Sequence, residues 1–439
     1  MDKGSSSSSR VTRTLPVPLP QLRRWRLSFM LGVLNGVLFQ FGFSLSHPST
    51  VLVTFATRLT NSEIGAGLIG TIAGAGWFLP QLFVAGYIEA IPVKMIAYRL
   101  AALLRLLSWA LMMLCVLLFI GISKEVAVAC FFIFYASFML LGGVGGLAFM
   151  DIVTKTIPPR RRGAFFGGRN LFGGLLGILA GVIVQRILSM ESALPFPNNY
   201  MLLMLFSLIF YALAFTIFMF VDEPPDIHLQ PKGNLLEEMK DAFELLKTNK
   251  QFKRLMLIRI FLDASSIAGP FYATFAIRAL HANDAIMGTF IILQTVTSLL
   301  LTPIWSYIND AKGSATAMRL SLLFIPVVPI LALAISVTKE FVGSYELVLK
   351  LWMLLYALIG MISSGPAIAF TNYLLEVAEV SRRSLLIASF NTIDGLVMFF
   401  PLLGGLVVQS MGYHAVFGCA AISTLFAVTF ARGLFSKRA

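Results

Sequence analysis

The chain has 439 residues, of which 58% are hydrophobic and only 13% charged, with a mean hydropathy of +0.84. A soluble protein of this length cannot hide that much apolar side chain behind so little polar surface, so the composition excludes an ordinary globular enzyme or binding domain. The net charge of +13 does not point to nucleic acid: the basic residues recur as short clusters between apolar runs and form no patch interleaved with stacking aromatics. Cys115, Cys130 and Cys419 lie within apolar runs and are read as small packing residues; neither they nor the four histidines have metal-ligand spacing, and no cofactor is expected.

Residues 1–25 read as a disordered tail, with a serine run at Ser5–Ser9 and prolines at Pro16, Pro18 and Pro20. The apolar run that follows is too long for the core of a cleavable leader. About 20 apolar residues cross a bilayer as a helix. Twelve such runs are expected: 27–56, 63–89, 97–122, 126–152, 164–189, 199–221, 255–279, 284–307, 315–337, 346–374, 384–410 and 412–434. The fold class is therefore an all-α polytopic membrane protein. A six-helix bundle over 26–221 and another over 255–434 are joined by a hydrophilic segment, 222–254, and a short tail follows at 435–439. The segment opens with the helix stop Asp222-Glu223-Pro224-Pro225. It then carries Leu235, Met239, Phe243 and Leu246 on one face, as a helix lying on the membrane surface would. Alternating crossings from a cytoplasmic N-terminus put most Lys and Arg on the cytoplasmic side, including Lys94, Lys155, Arg160–Arg162, Lys312, Arg382 and Arg383. The far side keeps Arg58, Lys124, Arg186, Arg278, Lys339 and Lys350. Both termini are thus expected inside, in the inner membrane.

A shift of 221 positions brings the two halves into register. Glu63 falls on Asp284, Gly67 on Gly288, Glu89 on Asp310, Arg161-Arg162 on Arg382-Arg383, Asn170 on Asn391 and Gly174 on Gly395. Apolar matches arise by chance between hydrophobic helices, but paired acids and paired arginines in one register point to duplication. Two six-crossing repeats face the same way, about an axis along the membrane normal, with a site between them near the midplane.

In this arrangement the chain resembles the major facilitator superfamily over essentially all of its length after residue 25. That family's loop between helices 2 and 3 follows G-x-L-a-D-r-x-G-r-[rk], with a weaker copy between helices 8 and 9. Here the second copy, Ser306-Tyr307-Ile308-Asn309-Asp310-Ala311-Lys312-Gly313, is the clearer. The first, Ala85 to Lys94, has Glu89 for the aspartate and Pro92 in place of the second glycine. The resemblance implies a cytoplasmic charge cluster that holds the bundles together and gates them. Glu89, Lys94 and Asp151 would form it in one half, and Asp310, Lys312 and Gly313 in the other; solvated loop charges are the plainer alternative. The run from Val126 to Asp151 lacks the arginine of the proton-linked exporters, and no sugar-porter signature follows helix 6. The resemblance is therefore to a divergent prokaryotic branch, whose substrate is not inherited with the fold. Gly173, Gly177 and Gly181, at i, i+4 and i+8 on helix 5, form a strip that is read as serving close helix packing rather than function.

Ionisable residues within a span are expensive and so are candidates for function. Asp263 lies midway along helix 7, with Ser266, Pro270 and Thr274 near its face. Helix 1 carries Gln40, Ser44 and His47 on one stripe with Asn35 off it, and Gln294 sits mid-span in helix 8. The family resemblance places helices 1, 4, 7 and 10 around the cavity. Asp263, Gln40, His47, Ser266 and Gln294 are thus the cavity candidates, and the Asp263 carboxyl could couple proton or sodium movement to transport. A paired structural acid at Asp263, a proline kink at His47-Pro48 and interhelical glue at Gln40 and Gln294 are the plainer readings. Arg169, Asn170, Asn391 and Asp394 are secondary candidates, with Arg169 and Asp394 able to pair with each other or with backbone. Arg105, about two turns into helix 3, is expected to snorkel to the surface.

The function that follows is secondary transport of a small organic solute by a monomer in a lipid bilayer. The alternative is a facilitator-fold protein that no longer transports and binds or scaffolds a lipid, pigment or assembly partner. A membrane enzyme is a distant third, since no nucleophile–base pair or nucleotide loop is present.

Overall fold

The computed structural model describes residues 19–226, 250–339, 344–377, 394–395 and 397–434. Among these every regular element is helical. In chain order the rods are α1 (Leu19–Leu45, continued by a π turn at Pro48–Leu52 and a helix at Val53–Thr60), α2 (Glu63–Glu89), α3 (Met95–Phe119), α4 (Lys124–Thr156), α5 (Pro159–Ser189) and α6 (Asn198–Phe218). The second half contains α7 (Lys250–Arg278), α8 (Ile286–Lys312), α9 (Ser314–Thr338), α10 (Tyr345–Val377), α11 (Phe400–Met411) and α12 (Tyr413–Ala431). Ten of these are long and apolar enough to cross a membrane. The α2 rod bends by 46° between Gln81 and Phe83, beside Pro80. Of the run expected at 384–410, residues 394–395 and 397–410 are described, and they include the start of the short apolar helix Phe400–Met411. The tail at 1–18, the expected surface helix at 227–249, Arg382, Arg383 and Asn391 lie outside the described residues. The α7 rod begins at Lys250, five residues before the expected boundary.

Local chemistry sets the ends. The Ser62 hydroxyl accepts the Ile64 amide at the head of α2, and Ser123 accepts Val126 at the head of α4. Proline breaks α1 after His47, as the His47-Pro48 pair suggested. Gly313 and Gly412 adopt φ of 82° and 84° between α8 and α9 and between α11 and α12, a region that L side chains rarely enter. The α7 rod is not one regular helix. A 3₁₀ turn at Ser265–Ala268 and Pro270 interrupt it, so the 3.6-residue spacing that put Asp263, Ser266 and Thr274 on one face does not carry through.

Packing follows the repeat. In the first bundle α1 lies against α5 and α6, and α4 against α2 and α3; in the second, α7 lies against α11 and α12, and α10 against α8 and α9. The bundles meet through α2 on α11 and α5 on α8. Lipid supplies no hydrophobic driving force between helices, so close backbone approach matters. A methyl at Gly288 would collide with the Gly181 carbonyl, and one at Gly67 with the Pro401 carbonyl, so the glycines that matched in register are the contact points of the two repeat-related interfaces. Gly173, Gly177 and Gly181 slot α5 between Gln40 and Ser44 of α1 on one side and Thr295 and Ile292 of α8 on the other. That is the packing role expected for the strip, extended to the partner bundle.

Candidate functional site

At the face opposite the chain termini, two sets of polar residues lock the bundles together. The Asp284 carboxylate, just before α8, accepts the Tyr200 hydroxyl of α6 at 2.5 Å and lies 2.8 Å from Nε of Arg58 at the end of α1. Glu63, at the start of α2, accepts the Tyr413 hydroxyl of α12 at 2.6 Å and lies 3.2 Å from Nε of Arg278 at the end of α7. In each set one bundle provides the acid and the other the arginine and tyrosine. The acids are buried and the arginines half-buried. Burial pushes the Asp284 carboxyl above its ordinary value, while the Tyr200 hydroxyl and the Arg58 charge pull it down. Arg58 also binds Glu191 at 2.6 Å, and Arg278 donates to the Thr57 carbonyl and to Asn61 Oδ1. A cleft of about 380 Å³ between Arg58, Arg278, Asn61 and Phe196 lies over this double latch. The register of Glu63 with Asp284 was visible in the sequence. The arginines and tyrosines were not singled out, because their offsets of 220 and 213 positions slip from the 221-residue register.

Toward the terminal face the bundles part along α5 and α8. Their contact runs from Gly181 with Gly288 to Gly174 with Leu299. Beyond it a methyl at Gly167 or Gly163 would meet nothing within 4 Å, and Leu300, Ile304 and Tyr307 of α8 are exposed. Asn170 is exposed on this stretch of α5.

In the second bundle Asp263 is not a lone cavity acid. Arg259, one turn before it on α7, donates through both arms of its guanidinium to Asp394, at 2.7 and 2.8 Å. Asp263 Oδ2 lies 2.7 Å from the same Nε but off the hydrogen-bonding direction. One guanidinium therefore serves two carboxylates, Asp394 nearly fully buried and Asp263 with a side chain 13% exposed. Two negative groups beside one positive group leave an excess charge that a proton or a cation would balance. This corrects the suggested pairing of Asp394 with Arg169. It also adds Arg259, which the sequence reading did not single out. Ser266, in the adjoining 3₁₀ turn, has a buried hydroxyl without a hydrogen-bond partner among the described residues.

The first bundle holds cations instead. Arg169 donates to the Gly32 carbonyl and, at 2.9 Å, to Asn35 Oδ1, and lies over Phe149 and Phe165. Asn35, off the expected stripe, is buried and donates to the Ala214 carbonyl at 2.8 Å. Arg105 does not snorkel. It is 7% exposed, with its guanidinium carbon 4.3, 5.0 and 5.6 Å from the ring centroids of Phe138, Phe215 and Phe39. Such ring contacts, about 0.5–2 kcal/mol each, offset only part of the cost of taking an unpaired guanidinium out of water. They are why the side chain turns inward: α3 packs that face onto α4 and α6, which supply the rings. Among the described residues neither arginine forms an ion pair.

Gln40 covers Gly173, and the Gln294 carbonyl meets α10 at Gly360. His47 caps the π turn through its carbonyl, with Nδ1 3.3 Å from the Ser49 hydroxyl. The charges expected to join the bundles on the terminal face stay within one bundle. Lys94 is buried and binds the carbonyls of Glu89 and Ile91 and the carboxylate of Asp226, with Asp151 4.0 Å away. The Glu89 side chain is exposed, and only its carbonyl takes part. Glu223 bonds the first amides of α3, Lys94 N and Met95 N, and accepts Lys155. The ammonium groups of Lys155 and Lys94 hold the Asp226 carboxyl below its ordinary value. Asp310 accepts Asn309 at 3.2 Å, and no ion pair joins Asp310 or Lys312 to the first bundle among the described residues. Gly313 serves as the turn described above. No cluster of three His, Cys, Asp or Glu side chains suited to a metal is found among the described residues.

No curated protein matches the chain in sequence. The sequence model of the family described as Major Facilitator Superfamily matches residues 260–439. A D-xylose–proton symporter crystal structure is similar with a TM-score of 0.69 at 17% identity, over 93% of this chain and 98% of that one. A bacterial homologue of the iron transporter ferroportin in an inward-facing state gives 0.67 at 14% identity, over 93% and 98%. A bacterial ferroportin homologue in an outward-facing state with soaked iron gives 0.56 at 17%, over 92% and 98%. At these identities the likeness establishes the fold, and it extends across both bundles while the family match lies in the second. The second bundle thus matches the Major Facilitator Superfamily model, and the same fold extends through the whole chain.

Proposed function

We propose that the chain is a secondary transporter that moves a small organic solute across the cytoplasmic membrane by alternating access, with twelve crossings and both termini in the cytoplasm. The observation that carries this reading is the contrast between the two faces: a repeat-related double latch at one, and parted α5 and α8 at the other. A rigid scaffold has no need of interfaces held by contacts that can be broken and remade. The better superposition on an inward-facing relative than on an outward-facing one supports a state open on the terminal side. The cluster of Arg259, Asp263 and Asp394 is the coupling centre in this reading, exchanging a proton or sodium as the bundles rock. The neighbours' sugar and iron cargoes are not carried over to this chain.

The test is accessibility. Thr71 is 4% exposed on α2, and its hydroxyl accepts the Leu402 amide across the sealed interface. A Thr71→Cys variant should react slowly with a membrane-impermeant maleimide from the far side, and faster once Arg58 and Arg278 are replaced by alanine. A cysteine that stays unreactive with the latch removed would describe a static scaffold and end the transport reading. In a coupled carrier, Asp263→Asn should leave folded protein whose transport has lost its dependence on pH or sodium.

A further inference from the structure

Resting on the transport reading, we propose that the solute is an organic anion and that Arg105 of the first bundle receives its anionic group. Arg105 makes no hydrogen bond with any described residue, although a guanidinium carries five N–H donors. The aromatic neighbours Phe39, Phe138 and Phe215 carry no hydrogen-bond acceptor in their side chains. Of the Arg105 nitrogens only Nε is fully enclosed and unpartnered, so the two terminal nitrogens keep some accessibility. Those donors must be met by something from outside the protein. The planar fork matches a carboxylate or phosphate in bidentate fashion.

The surroundings give the direction. A methyl at Gly142 of α4 would lie 3.1 Å from Nη2 of Arg105 and 3.4 Å from the Trp77 ring of α2. The guanidinium tip thus ends in a notch where α4 lacks a side chain, between Trp77 of α2 and Phe39 of α1. The α2 rod faces the second bundle, and both Phe39 and Trp77 are partly exposed. The notch therefore gives onto the space between the bundles. Arg169, one helix away and likewise without a described carboxylate, adds a second positive charge to the same bundle. The cluster of the second bundle carries the opposite excess. An anion drawn to Arg105 and a proton or cation held at Asp263 and Asp394 would enter together from facing walls. Small organic carboxylates and phosphates share the required chemistry.

The experiment is thermal unfolding of the purified full-length chain at matched ionic strength, with sodium benzoate, succinate or phosphate set against benzyl alcohol and benzylamine. Only anions should raise Tm, and their order separates carboxylate from phosphate recognition. Arg105→Met should unfold no earlier than wild type without anion, and should lose the anion response. Arg105→Lys keeps the charge but not the fork, and should bind about tenfold more weakly. Gly142→Val keeps Arg105 and should abolish the response by filling the notch. The proposal is overturned if Arg105→Met or Gly142→Val responds like wild type, if the alcohol or amine protects equally, or if no anion protects. Should the methionine variant not fold, the lysine and valine variants decide. Anion protection with an unreactive Thr71→Cys would leave the site standing and remove transport. A reactive Thr71→Cys without anion protection would do the reverse.

Discussion

The two bundles share one packing plan but not one interior. Each contributes a buried acid to the latch and a glycine to the inter-bundle contact, at equivalent places in the repeat. Inside the membrane they differ. The first bundle buries Arg105 and Arg169 among phenylalanines, whereas the second sets Arg259 between Asp263 and Asp394. The difference teaches where selection by packing ends: symmetric contacts are needed wherever the bundles must close on each other, while the polar interior is free to diverge for chemistry. It also divides the proposed work, with anion recognition on one wall and proton or cation coupling on the other.

The contrast is most sharply broken by removing the cation from each bundle in turn. Arg259→Met strands two carboxylates and should destabilise the folded chain by about 3–5 kcal/mol, while Arg105→Met, which strands no partner, should cost nothing or stabilise. Unfolding in detergent measures both, and equal losses would erase the distinction. The latch comes next. Asp284→Asn and Glu63→Gln each weaken charge-assisted bonds and should shift the equilibrium away from the sealed face by about 1.5–3 kcal/mol. The two should act alike in Thr71→Cys labelling, and a response from only one would show that the pairs are not equivalent.

Overpacking is a smaller lever. Gly288→Ala or Gly67→Ala should loosen the seal by about 1–3 kcal/mol. Gly167→Ala, which meets open space, should change neither labelling nor stability. The smallest effect belongs to the terminal-face brace. The folded-state pKa of Asp226 is depressed, so its pairing stabilises the chain above the ordinary carboxylate value of about 4 and is lost as pH falls through the lower folded value. Asp226→Asn should therefore remove stability at neutral pH and flatten the acid limb of a stability–pH curve; an unchanged limb would assign the acid sensitivity to other carboxyls.

The apolar runs, the repeat and its paired acids were legible along the chain because crossing length and helical spacing are local constraints. A lipid environment forces each run to satisfy its own backbone, so composition nearly dictates the rods. Partner choice was not legible. Arg105 had every local mark of a snorkelling residue, and Asp263 could be read as a paired acid without its partner being named. The first was turned inward by rings from α1, α4 and α6, and the second was tied to a cluster completed by Asp394, 131 positions away. The sequence by itself determined which segments are helices and that they come in two equivalent sets. Only the tertiary structure decided which charges meet, because the cost of burying a charge depends on neighbours that distant helices bring to it.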